Sequence, residues 1–144
     1  MKILSLLLSS LLLPLSLMAQ NSTTVGDYTV YYNALTTDSL TPEIASNYRI
    51  QRSKGRALIN IAVLKKDQLG VHRPVSADVS LKSRNLVGHM RDIPLREIRE
   101  DKAIYYIADF VVADREHLHF DADVIPQGQH YPIQIHFQHQ FYTR

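Results

Sequence analysis

The stretch His117-Leu118-His119-Phe120-Asp121-Ala122-Asp123 sets two imidazoles and two carboxylates at alternate positions, separated by apolar residues. In an extended chain successive side chains leave opposite faces, so all four polar groups share one face, with Cα atoms of neighbours roughly 6.5–7 Å apart. Two ring nitrogens at that spacing can converge on one ion, at about 2.0–2.1 Å each for zinc. Asp121 can act as a third ligand or orient an imidazole. If this strand folds back around Pro126 to Gln129, His119 is expected opposite His136, His117 near Gln138, and Asp123 near Pro132. A zinc or copper site of His117, His119 and His136 is then geometrically possible, and the donor types suit either ion. The competing reading is the wetted face of an amphipathic strand, which solubility alone explains.

A second group is basic. Arg49, Arg52, Lys54 and Arg56 occur with no acid between Arg49 and Lys66. Guanidinium forks and ammonium groups suit carboxylates and phosphates. With Ser53 and the neighbouring Tyr32 and Asn33, this segment is the leading candidate for a ligand or partner site. The alternative is a solvated loop whose charges guard the strand that follows. Asn60, alone among apolar residues, is expected to anchor a neighbouring loop by hydrogen bonds.

The remaining chemistry is sparse. His139 falls on an apolar parity and is expected to be partly buried, while His72, His89 and His130 fall in expected connections. The 5 glycines are too dispersed for a phosphate-cradling loop or a nucleophile elbow. Cys is 0, so there is no thiol nucleophile. The chain is therefore read as non-catalytic and without a resident cofactor, with a small hydrolase as a further alternative. Tyr 8 against Trp 0 argues against an aromatic sugar platform.

The elements that must position these groups are strands. Val75 to Lys82 alternates apolar and polar without exception, and Tyr131, Ile133, Ile135, Phe137 and Phe141 repeat the pattern. Ala57 to Leu64 and Ala103 to Val112 are apolar on both faces, as central strands are. Shorter strands are expected at Asp27 to Tyr32, Ile93 to Ile98 and Leu118 to Val124, about seven in all. Pro126-Gln127-Gly128 fits a turn, and Glu100 to Lys102 and Asp114 to Glu116 are polar links of hairpin length. Thr41 to Tyr48 reads as a helix of about two turns, capped by Thr41, opened by Pro42, and packed through Ile44, Ala45 and Tyr48. The pattern predicts an all-β fold, a single antiparallel β-sandwich, immunoglobulin-like in layout, with a closed barrel as the alternative.

The N-terminus is a separate object. Lys2, the apolar run Ile3 to Leu17 and the small residue Ala19 have the layout of a secretory signal peptide over residues 1–19. The single domain would then occupy residues 20–144, about two-thirds of its unfolded surface being buried on folding. Removing Lys2 leaves 15 basic against 14 acidic residues, a balance that argues against a nucleic-acid partner. Seven histidines would raise the charge in acid, so a pH-responsive surface is a further possibility. An exported chain without disulfides or a lipid-modified cysteine, and with no membrane span after cleavage, is expected in a bacterial periplasm.

The segments Tyr31-Tyr32-Asn33-Ala34, Leu40-Thr41-Pro42-Glu43-Ile44-Ala45 and Tyr48-Arg49-Ile50-Gln51-Arg52-Ser53-Lys54, together with the Asn60 strand, carry a resemblance. They are similar to a family of small exported bacterial proteins catalogued as a domain of unknown function, DUF4426, over nearly all of the mature chain. The resemblance implies export and one β-sandwich-like domain, and supplies no activity. The expected role is a binding or interaction module whose partner is an envelope protein or an anionic envelope component.

Overall fold

The computed structural model describes residues 21–144. The expected signal peptide and its cleavage point at Ala19 lie outside the described residues. Ten strands form two antiparallel sheets: β1 (Asn21–Val25), β2 (Tyr28–Thr36), β3 (Arg56–Lys66), β4 (His72–Pro74), β5 (Ala77–Arg84), β6 (Met90–Ile93), β7 (Arg96–Glu100), β8 (Ala103–Val111), β9 (Glu116–Pro126) and β10 (Ile133–Phe141). Sheet A runs β1-β2-β3-β8-β7, with β4 on the end of β3, and sheet B runs β10-β9-β5-β6. The sheets face each other as a sandwich.

Alternation explains the layers. Val30, Ile59, Ile61 and Val63 of sheet A and Phe120, Val124, Ile135 and Phe141 of sheet B are almost wholly buried between the sheets. Burial of each such side chain contributes about 1.5–3 kcal/mol. Phe120 joins the aromatic part of the core, stacked on Phe137 at 5.0 Å and edge-on to Phe141 at 6.4 Å. The outer face of sheet A carries a second apolar cluster of Leu58 and Ile107, covered by Ala45 and Ile50.

The helix, α1 (Pro42–Asn47), forms where expected, and the Thr41 side chain accepts from the Ile44 amide at 3.2 Å. Its inward contacts differ: Ile44 is 41% exposed, and Ile50 is buried in its place. The reason is the helix stop. Arg49 adopts a left-handed φ of 56°, and the amides of Arg49 and Ile50 close onto the carbonyls of Ser46 and Ala45. This Schellman arrangement turns Ile50 back onto the helix.

Three connections also depart from the sequence pattern. Ile93 to Ile98 is not one strand, because the chain leaves sheet B after Ile93 and enters sheet A at Arg96. Pro94 between them has no amide to give to either ladder. Asp114 to Glu116 is likewise a crossing between sheets rather than a hairpin link, with Arg115 at φ 63°. Tyr131 stands 85% exposed before β10 begins. Among the described residues, no helix is long and apolar enough to cross a membrane.

Tyr106 bridges the two sheets at their rim, its hydroxyl accepting from the Ala77 amide at 2.8 Å and donating to Glu97 Oε2 at 3.0 Å. Hydrogen bonds from Arg99 and then Tyr106 hold the Glu97 carboxyl below the usual carboxylate range. Between the unfolded and folded values the unfolded chain binds the extra proton, so stability falls as pH drops through that window. We expect the melting temperature to decline below about pH 4.3. In Glu97→Gln it should start lower at neutral pH and decline less in acid, as followed by circular dichroism.

Candidate functional site

The outward face of sheet B is the open one. Its polar residues stand in cross-strand rows fixed by register: His136, Asp121, Lys82 and Asp92 in one, and Gln138, His119, Arg84 and Met90 in the next. The first row alternates in sign when His136 is protonated, which is the favourable arrangement for directly opposed pairs. His136 Nδ1 lies 2.6 Å from Asp121 Oδ1. His117 and His119 bring their rings to 5.2 Å, and His117 Nε2 lies 2.9 Å from Gln138 Oε1.

The β9–β10 register differs from the expected one by two residues. His136 is opposite Asp121, His119 is opposite Gln138, and His117 is opposite Gln140. Faces are preserved, because a two-residue step does not change parity. Partners are not: His136 is turned onto Asp121 instead of joining His119. Among the described residues, no three His, Asp or Glu side chains gather closely enough to hold a metal ion. His117 and His119 remain together, and His136 stands a row away.

A depression of about 370 Å³ opens between these rows, lined by Arg84, His119, Asp121, His136 and Gln138. Arg84 has no carboxylate within ion-pair distance among the described residues. Sequence reasoning ended the strand at Lys82 and so missed Arg84. The signal was its parity, two residues beyond Lys82 on the same polar face.

The basic segment is spread out and largely occupied. Tyr32 points into the core against Phe137 at 4.9 Å, while Asn33, its neighbour in β2, belongs to the opposite face beside Asn60. Arg49 is the helix stop. Arg52 donates to the Leu40 carbonyl at 2.8 Å and the Asp38 carbonyl at 3.1 Å. Arg56 grips Asp109 at 2.6 Å. The Ser53 hydroxyl accepts from the Gly55 amide at 3.0 Å, and its own amide donates to buried Thr37 at 2.8 Å. Lys54 and the side chain of Arg49 are exposed and outside these contacts among the described residues. Asn60 Oδ1 is buried without a hydrogen-bond partner among the described residues.

The comparisons with known proteins add a family. The model described as "Domain of unknown function (DUF4426)" matches residues 22–144. The chain belongs to the DUF4426 family. A crystal structure of a DUF4426 family protein from Pseudomonas aeruginosa PAO1 shares 27% identity and superposes with a TM-score of 0.74, over 89% of this chain and 98% of that one. FetP of uropathogenic Escherichia coli strain F11, as isolated after expression in the periplasm of E. coli, shares 9% identity, with a TM-score of 0.59 over 88% of this chain and 95% of that one. A copper-bound variant of FetP gives 9% and 0.61, over 88% and 97%. At that identity the likeness to FetP is one of fold. No curated protein matches this sequence.

Within this DUF4426 chain the other histidines divide as their surroundings dictate. His139 is half-buried against Phe141 at 4.6 Å, and burial, then the charge of His117, holds it below the usual imidazole range. His72 opens β4, while His89 and His130 lie in connections. His136 has the carboxylate that an orienting triad would use, but no hydroxyl is bonded to its Nε2 among the described residues. If Arg52 is a tether, Arg52→Ala should cost about 1 kcal/mol. Lys54→Ala should leave stability within about 0.5 kcal/mol. Urea unfolding of both variants separates the two roles.

Proposed function

We propose that this chain is an exported, non-catalytic binding module of the bacterial periplasm that captures an anionic group of an envelope component on the open face of sheet B. The observation that carries the reading is Arg84, a guanidinium without a carboxylate partner in a depression shared with His119, His136 and Gln138. A guanidinium and neighbouring imidazole or amide donors suit carboxylate or phosphate oxygens. Asp121 also lines the depression, and His136 and Lys82 flank it on both sides. The leader-like N-terminus supports export. The engagement of Arg52 and Arg56 with the protein itself supports this face over the Arg49 to Lys54 segment, which the sequence favoured.

Titration with inorganic pyrophosphate, followed by the amide and side-chain resonances of Arg84, His119 and His136, tests this placement. Arg84→Ala should weaken binding about tenfold, the loss of roughly 1.4 kcal/mol from one charge-assisted contact. Lys54→Glu should leave it unchanged. The opposite pattern would return the site to the basic segment.

A second reading is a copper or zinc module. Its support is the 5.2 Å pairing of His117 and His119, with the copper-bound FetP variant as a fold neighbour. Against it stand the charge of Arg84 beside His119 and the turn of His136 onto Asp121. Elemental analysis of protein purified without chelator, with melts in added copper and zinc, decides between them. Under the anion reading the metal content is substoichiometric and the melts are unmoved. Near-stoichiometric metal, lost in the His117→Ala/His119→Ala double variant, would establish the metal module.

A further inference from the structure

Sheet A extends past sheet B by one strand. Among the described residues β1 pairs only with β2, and β10, the end strand of sheet B, meets β2 through the Tyr32–Phe137 contact. Asn21, Thr23 and Val25 of β1 are registered with Tyr32, Val30 and Tyr28, so they share the inner face. Val30 is fully buried, whereas Asn21 is exposed, Thr23 half-buried and Val25 52% exposed. The underside of β1 is therefore left uncovered by sheet B. Two depressions mark the ends of the resulting slot: about 470 Å³ between Val25–Tyr28 and Tyr131–Gln134, and about 260 Å³ where Asn21 and the β2 residues Asn33 to Leu35 face Phe137–His139.

The floor of that slot is an unguarded strand edge. β10 has nine residues, IQIHFQHQF, without Lys, Arg, Asp, Glu or Pro, and among the described residues it pairs with β9 alone. Of the other edges, β7 is rich in Arg and Glu, β6 has four residues and runs into Pro94, and β1, also uncharged, has only five residues. Long edges without charge or proline are templates for another strand.

We propose that the slot receives one extended peptide segment of a partner protein, which adds to β10 as a fifth strand of sheet B and lies beneath β1. A second copy would have to bring its own β1 overhang against this one, whereas an isolated segment brings a strand alone. A single strand added to β10 would stand about 4.8 Å from it. Its inward side chains would meet Thr23, Val25 and Phe137, which favours small or β-branched residues. Its outward side chains would lie beside Gln134, His136 and Gln138. An acidic residue there would stand beside His136 at the end of the row His136, Asp121, Lys82 and Asp92, where it can accept a hydrogen bond from the imidazole. The partner segment is thus one that alternates β-branched and acidic residues, bound in the manner of β-strand addition.

The test uses a blocked synthetic peptide, Thr-Glu-Val-Glu-Thr-Glu-Val-Glu-Thr, and hydrogen exchange of the mature protein. Bound peptide should slow exchange of the outward-facing β10 amides by at least about tenfold. N-methylation of alternate peptide residues removes donors on one edge at a time. One methylation phase should abolish protection and the other should retain it. Thr23→Lys, on the underside of β1, should weaken binding about tenfold with the melting temperature unchanged. Unaltered exchange at millimolar peptide, equal binding by both methylated forms, or no effect of Thr23→Lys would each overturn the proposal.

Discussion

The face-to-face packing of β3 against β9 is the contact on which the rest of the molecule depends. No disulfide is available to this chain, so the sandwich stands on the apolar surface that the two central strands remove from water. Ile59, Ile61 and Val63 on one side and Phe120, Ala122 and Val124 on the other are almost wholly buried. Once Phe120 and its alternate neighbours point inward, His117, His119 and Asp121 have no choice but to point outward. The polar face of sheet B is in this sense a consequence of the core.

Register then decides what that face can do. A slip of one residue would bury the histidines and is strongly disfavoured. A slip of two leaves every side chain on its own face, so hydrophobic pattern cannot tell the two registers apart. The six residues between Pro126 and Ile133 settle the matter. They set His136 against Asp121 and leave His117 beside His119, and the chemistry changes from three converging nitrogens to an imidazole–carboxylate hydrogen bond beside a guanidinium.

The basic segment shows a different failure of linear reading. A run of Arg and Lys without acids looks free, but free charge is a property of surroundings. The loop before β3 carries backbone carbonyls at Asp38 and Leu40 that Arg52 satisfies, and Arg56 finds Asp109 across two adjacent strands. Arg49 carries out a backbone task usually given to glycine. None of these uses leaves a local pattern, because each joins residues far apart in sequence or depends on a single φ angle.

Alternation, chain length and turn residues by themselves determined an all-β sandwich, the positions of most strands, the capped helix and the outward face of His117, His119 and His136. These are local properties, written in a period of two and in the preferences of Pro, Gly and Thr. The tertiary structure alone decided the division of Ile93 to Ile98 between two sheets, the two-residue register of β9 and β10, the place of Arg84 beside His119, and the overhang of β1 past β10. Each of these depends on which strand lies next to which. That choice is made by the summed packing of the whole core, and no short stretch of sequence carries it.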